Sequence, residues 1–539
     1  MGLTIRLRDR VSLGEVARAA LNRLPVELDE HCWHRVAKSR ALLDKFVADG
    51  RIIYGVTTSV GGFAHRLVSA EDAQQLQENL INAVATNVGT YLDEDTTRAI
   101  MIARVVSLSL GNSAIQPENL QTYLAMINAD VLPCIPEKGS LGTSGDLGPL
   151  ACIALVSIGQ WKAYYRGEVL DGATAMQRAG IAPARLSYKE GLAMINGTAG
   201  MVGIALLTHQ SACRLVELYH VISALSIEGL AGIVDPFHPQ VHTVKPHRGQ
   251  ARAADRIHRA LRDSTLARSE RSVEAALAAR RDNGPTGTHD TMAIEDAYSI
   301  RCTPQILGPI VDSLDWIGNT IENELNATSD NPIVLPDVAD IFHNGHFHGQ
   351  YIAMAMDHLA IAMTTLVNLA NRRVDRFLDQ SNSNGLPPFL CRENPGLRLG
   401  LMGGQFMTAS VTAETRTLAV PISTQSLTTT ADFQDIVSFG FVAARRAREV
   451  LRNTAYVIAF ELLCACQAAD IRGAEGLSSW TRPLYERVRT VTPYLDRDLP
   501  LTEHVEALAD FLLSEEAADF VGPPNSPEAS SQALITDRV

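Results

Sequence analysis

Glycines at positions 139, 142, 145 and 148 punctuate the segment of residues 134–155, and among them stands Thr143-Ser144-Gly145-Asp146. By its residue types this is a loop running into a helix, with Ser144 or Asp146 as a cap. The whole string, continuing Leu147-Gly148-Pro149-Leu150, is more specific than a cap requires. Other side chains able to do chemistry stand in separate loops. Tyr54, in Tyr54-Gly55-Val56-Thr57-Thr58, has an unperturbed pKa of about 10 and by itself reads as packing. It could take a proton only if neighbouring donors, positive charge or helix N-termini lowered that pKa. Arg301 alone reads as an ion-pair residue, Asn196 and Asn331 as turn formers, and Tyr298 and Gln434 as buried hydrogen-bonding groups. His343, His346 and His348 are residues of the type that binds zinc, but no cysteine or second ligand set accompanies them.

Rigid elements must hold these loops. Apolar side chains recur at helical spacing over residues 96–110, 203–227, 304–325, 351–377 and 439–469. Helices this long and apolar on most faces are expected in a large buried bundle. The stretch from Ile352 is interrupted by Asp357, His358 and Asn368, which argues for a bundle helix over a lipid-facing one. Strand candidates are few: residues 51–56 and 161–170. Loops rich in Gly, Ser, Thr and Asn fall at 54–62, 133–148, 196–198, 282–291, 330–349 and 381–404, where chemistry tends to sit. The polar stretch of residues 514–539 is expected to fray.

Of the 539 residues, 46% are hydrophobic and 20% charged, as in ordinary folded proteins. A net charge of -13 argues against nucleic-acid binding, which needs a basic surface. The first residues lack the continuous apolar core of a signal peptide. The eight scattered cysteines, Cys32, Cys134, Cys152, Cys213, Cys302, Cys391, Cys464 and Cys466, are expected as buried free thiols in a reducing, cytoplasmic setting.

The string around Ser144 resembles the signature of the aromatic amino acid ammonia-lyase and aminomutase family. In that family an Ala-Ser-Gly triplet followed by Asp-Leu and then Pro-Leu cyclises into 4-methylidene-imidazol-5-one (MIO). Here Thr143 replaces the commoner Ala; its side chain stays outside the new ring. The resemblance implies that the Gly145 nitrogen attacks the Thr143 carbonyl and that Ser144 loses water, giving an electrophile without metal or added cofactor. A residue without Cβ suits the close approach. Further matches follow in family order: the Tyr54 loop, Asn196-Gly197-Thr198, residues 298–305, Asp330-Asn331-Pro332 and residues 434–438. They imply catalytic roles for Tyr54, Thr143, Ser144 and Gly145, and substrate-binding roles for Asn196, Tyr298, Arg301, Asn331 and Gln434. Arg301 is then the bidentate clamp for an amino acid carboxylate. His343, His346 and His348 become part of a non-metal loop. The resemblance covers residues 11–510.

It also implies a mainly α fold of the fumarase/aspartase-like type, with an MIO-bearing N-terminal lobe at 1–205, a central long-helix bundle at 206–475 and a small C-terminal helical region at 476–539. A cytoplasmic homotetramer with sites combining loops of several subunits is expected, with no nucleic-acid or membrane partner. The family's side-chain pocket places Ala83-Val84 where tyrosine-selective members carry His; Ala83 leaves a phenol unpaired, which is costly. Histidine lyases carry Glu where Gln434 stands. Leu80, Leu147, Leu192, Phe406 and Phe433 complete an apolar wall, so phenylalanine is the expected substrate. Thr143, Phe433 and Thr430, the last standing where plant lyases carry Glu, favour an aminomutase over a lyase. The expected reaction turns L-phenylalanine into β-phenylalanine through an MIO-bound amine and a cinnamate intermediate. The alternatives are a phenylalanine or tyrosine ammonia-lyase releasing cinnamate and ammonia, and a non-catalytic helical relative. Loss of Ser144, Tyr54 or Arg301 would mark such a relative, and all are present.

Overall fold

The expected long helices form close to their sequence-derived limits: Glu94–Ser109, Ala199–Gly229, Thr303–Leu325, Gln350–Leu378 and Gly440–Arg472. The computed structural model describes residues 2–7, 9–69, 72–281 and 293–522. The loop expected at 282–291 lies outside the described residues. The chain forms two compact units: Met1–Gln210 with Ile317–His358 and Pro421–Arg448, and Ser211–Trp316 with Leu359–Val420 and Glu449–Val539. This differs from the linear division expected from sequence, because residues 317–358 and 421–448 belong with the N-terminal stretch. Four of the five boundaries fall inside the helices Ala199–Gly229, Thr303–Leu325, Gln350–Leu378 and Gly440–Arg472, where no change of composition marks them; the fifth, at 420/421, follows the helix Met402–Leu418.

In the first unit the helix Glu94–Ser109 starts where the Asp93 carboxylate accepts from the Thr96 amide at 2.7 Å. Every residue from Thr96 to Ser109 is buried, so this helix is core on all faces. The helix Leu147–Ser157 is likewise buried beyond its first residue. Sheet is confined to small pieces. Leu132–Pro133, Lys162–Tyr165 and Glu168–Asp171 form an antiparallel three-stranded sheet, which accounts for the strand signal at 161–170. The other expected strand does not form. At residues 53–58 the Ile53 carbonyl accepts from the amides of Val56, Thr57 and Thr58, and the Thr57 hydroxyl accepts from Ile53 N at 2.8 Å. That local competition closes a compact turn in place of a ladder.

The second unit is built around the buried parts of the long helices. Gln350–Leu378 and Gly440–Arg472 are apolar and long enough to cross a membrane, but their most apolar windows are 72% and 83% buried within the protein. They are core helices by packing. Chain order extends further than expected at the C-terminal side: Glu516–Phe520 is a 3-10 turn, Ala517, Ala518 and Val521 are buried, and Phe520 meets Phe511 edge-on at 5.5 Å. Burial of this small apolar cluster holds residues 514–522 in place despite their polar composition; the rest of the stretch expected to fray, 523–539, lies outside the described residues.

Candidate active site

The loop at 142–146 is tightly folded by its glycines. Gly142 and Gly145 face each other in an antiparallel bridge, so Thr143 and Ser144 form the tip of a reverse turn. Ser144 has φ +54° and Gly145 φ +75°. A Cβ on Gly145 would lie 2.0 Å from the Gly197 carbonyl oxygen, so only glycine fits there. Gly197 reciprocates: its N–H donates to the Ser144 carbonyl at 3.2 Å, and its carbonyl accepts from Asp146 N at 2.8 Å. Thus Asn196-Gly197-Thr198 and Thr143-Ser144-Gly145 are held as one assembly. A strained turn with glycine forced at its third position fits the backbone closure that MIO formation demands.

Asp146 does not cap the helix it precedes. Its buried carboxylate accepts from Met201 N at 2.7 Å, at the start of Ala199–Gly229, and from the Ser140 hydroxyl at 3.0 Å. Burial pushes its pKa up to about 7, against the lowering pull of the Met201 and Gly200 amides and Ser140.

Facing the turn is the loop of residues 429–434. Thr430, Ala431 and Asp432 all lie at positive φ, +57°, +51° and +62°, a run of left-handed non-glycine residues that marks strain. It presents Gln434, whose Nε2 donates to the Ser144 hydroxyl at 3.3 Å while its Oε1 accepts from the Thr430 hydroxyl at 2.7 Å. The Phe433 ring stacks on Tyr54, interplanar angle 7° and centroids 6.2 Å apart. The Tyr54 oxygen accepts from Gly61 N at 2.8 Å.

The Tyr54 turn is pinned on both sides. Ile53 and Val56 are buried with Leu43, Phe46, Val334 and Ile341 in one apolar cluster. Each such aliphatic side chain contributes about 1.5–3 kcal/mol. Gln77 on the helix Ala73–Val84 donates to the Gly55 carbonyl at 3.2 Å and accepts from Leu192 N at 3.0 Å. Leu192 packs on Gly55, where a Cβ would lie 2.4 Å from its Cδ2. The expected lowering of the Tyr54 pKa is not found: burial raises it, outweighing the Gly61 amide.

Asn196 and Asn331 meet over Asp330. Asn196 Nδ2 donates to Asp330 Oδ1 at 2.8 Å and to the Asn331 carbonyl at 3.3 Å. Asn331 Oδ1 accepts from Asn344 N at 2.7 Å. The strand pair Ile333–Leu335 and Asp340–Phe342 returns the chain so that His343 Nε2 accepts from Tyr54 N at 3.1 Å. His343 thereby serves the Tyr54 loop. Among the described residues no group of three or more His, Cys, Asp or Glu could hold a metal ion.

Leu80, Ala83 and Val84 lie along the helix Ala73–Val84, and the Val84 carbonyl is 3.3 Å from where a Cβ on Gly148 would stand, just past Leu147. Leu80 is buried, Ala83 exposed and Val84 half-buried. The first unit therefore holds Tyr54, Leu80, Ala83, Val84, Thr143, Ser144, Gly145, Leu147, Leu192, Asn196, Asn331, Phe433 and Gln434. Tyr298, Arg301 and Phe406 belong to the second. There Arg301 lies over the Tyr298 ring at 4.9 Å, donates to the Asp296 carbonyl at 2.9 Å and pairs with Glu295 at 3.0 Å. That ion pair is solvent-exposed on the Glu295 side and weak enough for an incoming carboxylate to displace. Tyr298 and Phe406 are exposed. Sequence reasoning missed Gln77, Lys189 and Asp330 as supports. Their signal lies in partners far along the chain, which spacing does not show.

The family model of aromatic amino acid lyases matches residues 11–490. A histidine ammonia-lyase of Caldanaerobacter subterraneus subsp. tengcongensis is 37% identical over 506 residues, covering 94% of this chain and 96% of its own. A tyrosine ammonia-lyase of Cupriavidus metallidurans is 39% identical over 501 residues, 92% of this chain and 93% of its own. Among solved structures, phenylalanine aminomutase of Pantoea agglomerans is similar with TM-score 0.93 and 56% identity, over 96% of this chain and 100% of that chain.

Proposed function

Because this chain belongs to the aromatic amino acid lyase family, we propose that it is a phenylalanine aminomutase, converting L-phenylalanine to β-phenylalanine with some release of cinnamate. The observation that carries the reading is the Ser144–Gln434 pairing opposite the stacked Tyr54 and Phe433. Gln434 puts a neutral amide, not a carboxylate, beside the reactive turn, and Phe433 offers an aromatic face. A phenyl ring suits these surroundings; an imidazolium has no counter-charge there, and a phenol finds no partner on Ala83. The similarity to the Pantoea agglomerans aminomutase at 56% identity supports the same choice over the histidine ammonia-lyase relatives at lower identity.

Thr143, Ser144 and Gly145 would form the MIO, which supplies an electrophilic methylene for the substrate amine. The chain's own groups do the rest. The Gly197 N–H draws electron density from the Ser144 carbonyl through its hydrogen bond. Tyr54 Oη, held by the Gly61 amide, is the atom that exchanges the β-proton. Its pKa is raised by burial in the structure, so the reaction needs added donors or positive charge at the phenol once substrate binds. Leu80, Val84, Leu147, Leu192 and Phe433 of the first unit exclude water, while Arg301, beside Tyr298, and Phe406 are supplied by a neighbouring copy, where Arg301 grips the carboxylate. Retention of cinnamate long enough for amine return to the β-carbon separates mutase from lyase. We assign the working form to a cytoplasmic homotetramer in which loops of several copies complete each site.

The test is incubation with L-phenylalanine, L-tyrosine and L-histidine separately, with products resolved over time. β-Phenylalanine as main product establishes the reading. Cinnamate and ammonia alone make the protein a lyase; turnover of histidine to urocanate overturns the substrate assignment.

A further inference from the structure

Behind Asn196 and Asn331 lies an ion pair that touches no solvent. Lys189 Nζ donates to Asp330 Oδ2 at 2.7 Å, and both side chains are 0% exposed. The other carboxylate oxygen, Oδ1, accepts from Asn196 Nδ2 at 2.8 Å and from Asn331 N at 2.7 Å. One oxygen is thus held by the lysine and the other by both asparagines. We propose that Lys189 and Asp330 are positioning residues that orient the side-chain amide of Asn196 toward the substrate and hold Asn331 beside it through its backbone N–H. This rests on the reading that the two asparagines line the site of amino acid turnover.

The geometry specifies each amide. Both protons of Asn196 Nδ2 are spent, on Asp330 and on the Asn331 carbonyl, so its Oδ1 faces the other way as an acceptor. Asn331 spends its Oδ1 on Asn344 N, which leaves its Nδ2 as a donor. The pair therefore presents one acceptor and one donor in fixed orientation. Without the Lys189 bond, the Asp330 carboxylate can rotate; the Asn196 amide can flip with it, and Asn331 loses the acceptor that holds its backbone N–H.

Stability alone does not account for this arrangement. Burying an ammonium and a carboxylate costs several kcal/mol per ion, and apolar replacements of buried pairs are often neutral or stabilising. Lys189 also sits at φ +70°, a left-handed conformation disfavoured for a lysine. The next residue, Glu190, is buried and paired with Arg40 at 2.8 Å. Burial lowers the Lys189 pKa despite the Asp330 charge, so the ammonium depends on the geometry being kept. Strain and buried charge together sit directly behind the candidate site, where such cost is usually functional.

The test is a double-mutant cycle. Lys189→Met/Asp330→Asn removes both charges together and avoids stranding one in the core. It is made in the natural background and in Asn196→Ala. If the pair acts through the amides, the charge-free pair lowers kcat for L-phenylalanine about 100-fold in the natural background. In the Asn196→Ala background the same change costs only a few-fold, because the group it positions is gone. Equal losses in the two backgrounds overturn the proposal. Intact mass controls for folding: the dehydration deficit at Ser144 should persist in all variants, and its loss in the charge-free variant overturns the positioning role. Should the natural protein convert no amino acid, the functional reading fails and hydrogen exchange decides. Faster exchange confined to residues 192–198 and 330–344 in the charge-free variant supports the proposal, and unchanged exchange there overturns it.

Discussion

In each unit a buried cation meets a buried carboxylate behind a group of candidate site residues, and the two arrangements differ in kind. In the first unit Lys189 spends its charge on Asp330. In the second, Arg373 pairs with Glu461 at 3.0 Å and also donates to the Ser299 carbonyl, the Ser223 and Thr303 hydroxyls and the Tyr219 hydroxyl. Glu461 in turn accepts from Tyr219 and Ser226. A planar guanidinium with five donors distributes its load, whereas an ammonium is a point charge. The titration directions follow: burial lowers Lys189, while Arg373 is raised despite burial, by Tyr219 and Glu461. The Arg373 network is a rigid scaffold under the backbone between Tyr298 and Arg301. The Lys189 pair is a hinge-like support whose effect is felt through two amides.

The largest expected contrast is chemical. Ser144→Ala should remove the dehydration deficit in intact mass and reduce turnover to background, while no substitution in the Arg373 network should touch that deficit. Full activity in Ser144→Ala would remove the first unit from the chemistry. Next is Arg373→Met, which strands the buried Glu461 carboxylate. It should cost about 3–5 kcal/mol by denaturant unfolding. A loss under 1 kcal/mol would show that the two networks are alike after all. Third, Tyr54→Phe should keep the deficit and lower kcat about 10²–10⁴-fold; undiminished turnover would dismiss Tyr54 as the proton carrier.

The smallest effect concerns pH. Burial raises Asp146 in the first unit and Glu228 in the second, each to about 7. For a carboxyl raised on folding, the unfolded chain releases its proton near pH 4 while the folded one keeps it. Its stabilising contribution is therefore full below about pH 4 and lost as pH rises to about 7. Asp146→Asn and Glu228→Gln should each flatten the decline in melting temperature between pH 4 and 7. If only one of them does, the two carboxyls differ in their buried surroundings more than their hydrogen bonds suggest. Those bonds run from Met201 N and Ser140 to Asp146, and from Ser478 N and Thr481 to Glu228.

Sequence periodicity located the long helices within a few residues, because an apolar face repeats locally. It failed at 51–56, where β-branched residues suggested a strand but the Ile53 carbonyl gathers a turn. The reading of Ser144 or Asp146 as a cap, made from residue type, failed as well: the helix Leu147–Ser157 has no side-chain cap, and the Asp146 carboxylate serves the start of another helix. The tight turn at Ser144 was legible from the glycines around it. The pairing of Phe433 with Tyr54, and the service of His343 to the Tyr54 amide, were not.

What the sequence alone determined was the set of residue types: the Thr143-Ser144-Gly145 turn, the apolar helices, and which loops carry Tyr, Asn, Gln and Arg. These are short-range properties, set by backbone freedom and by spacing along one element. The tertiary structure decided who holds whom. Asn196 finds Asp330 at a separation of 134 residues, Gln434 finds Ser144 at 290, and Tyr54 takes His343 at 289. Hydrogen bonds over such separations exist only once packing has closed the intervening chain, so the orientation of each amide and hydroxyl is a property of the fold.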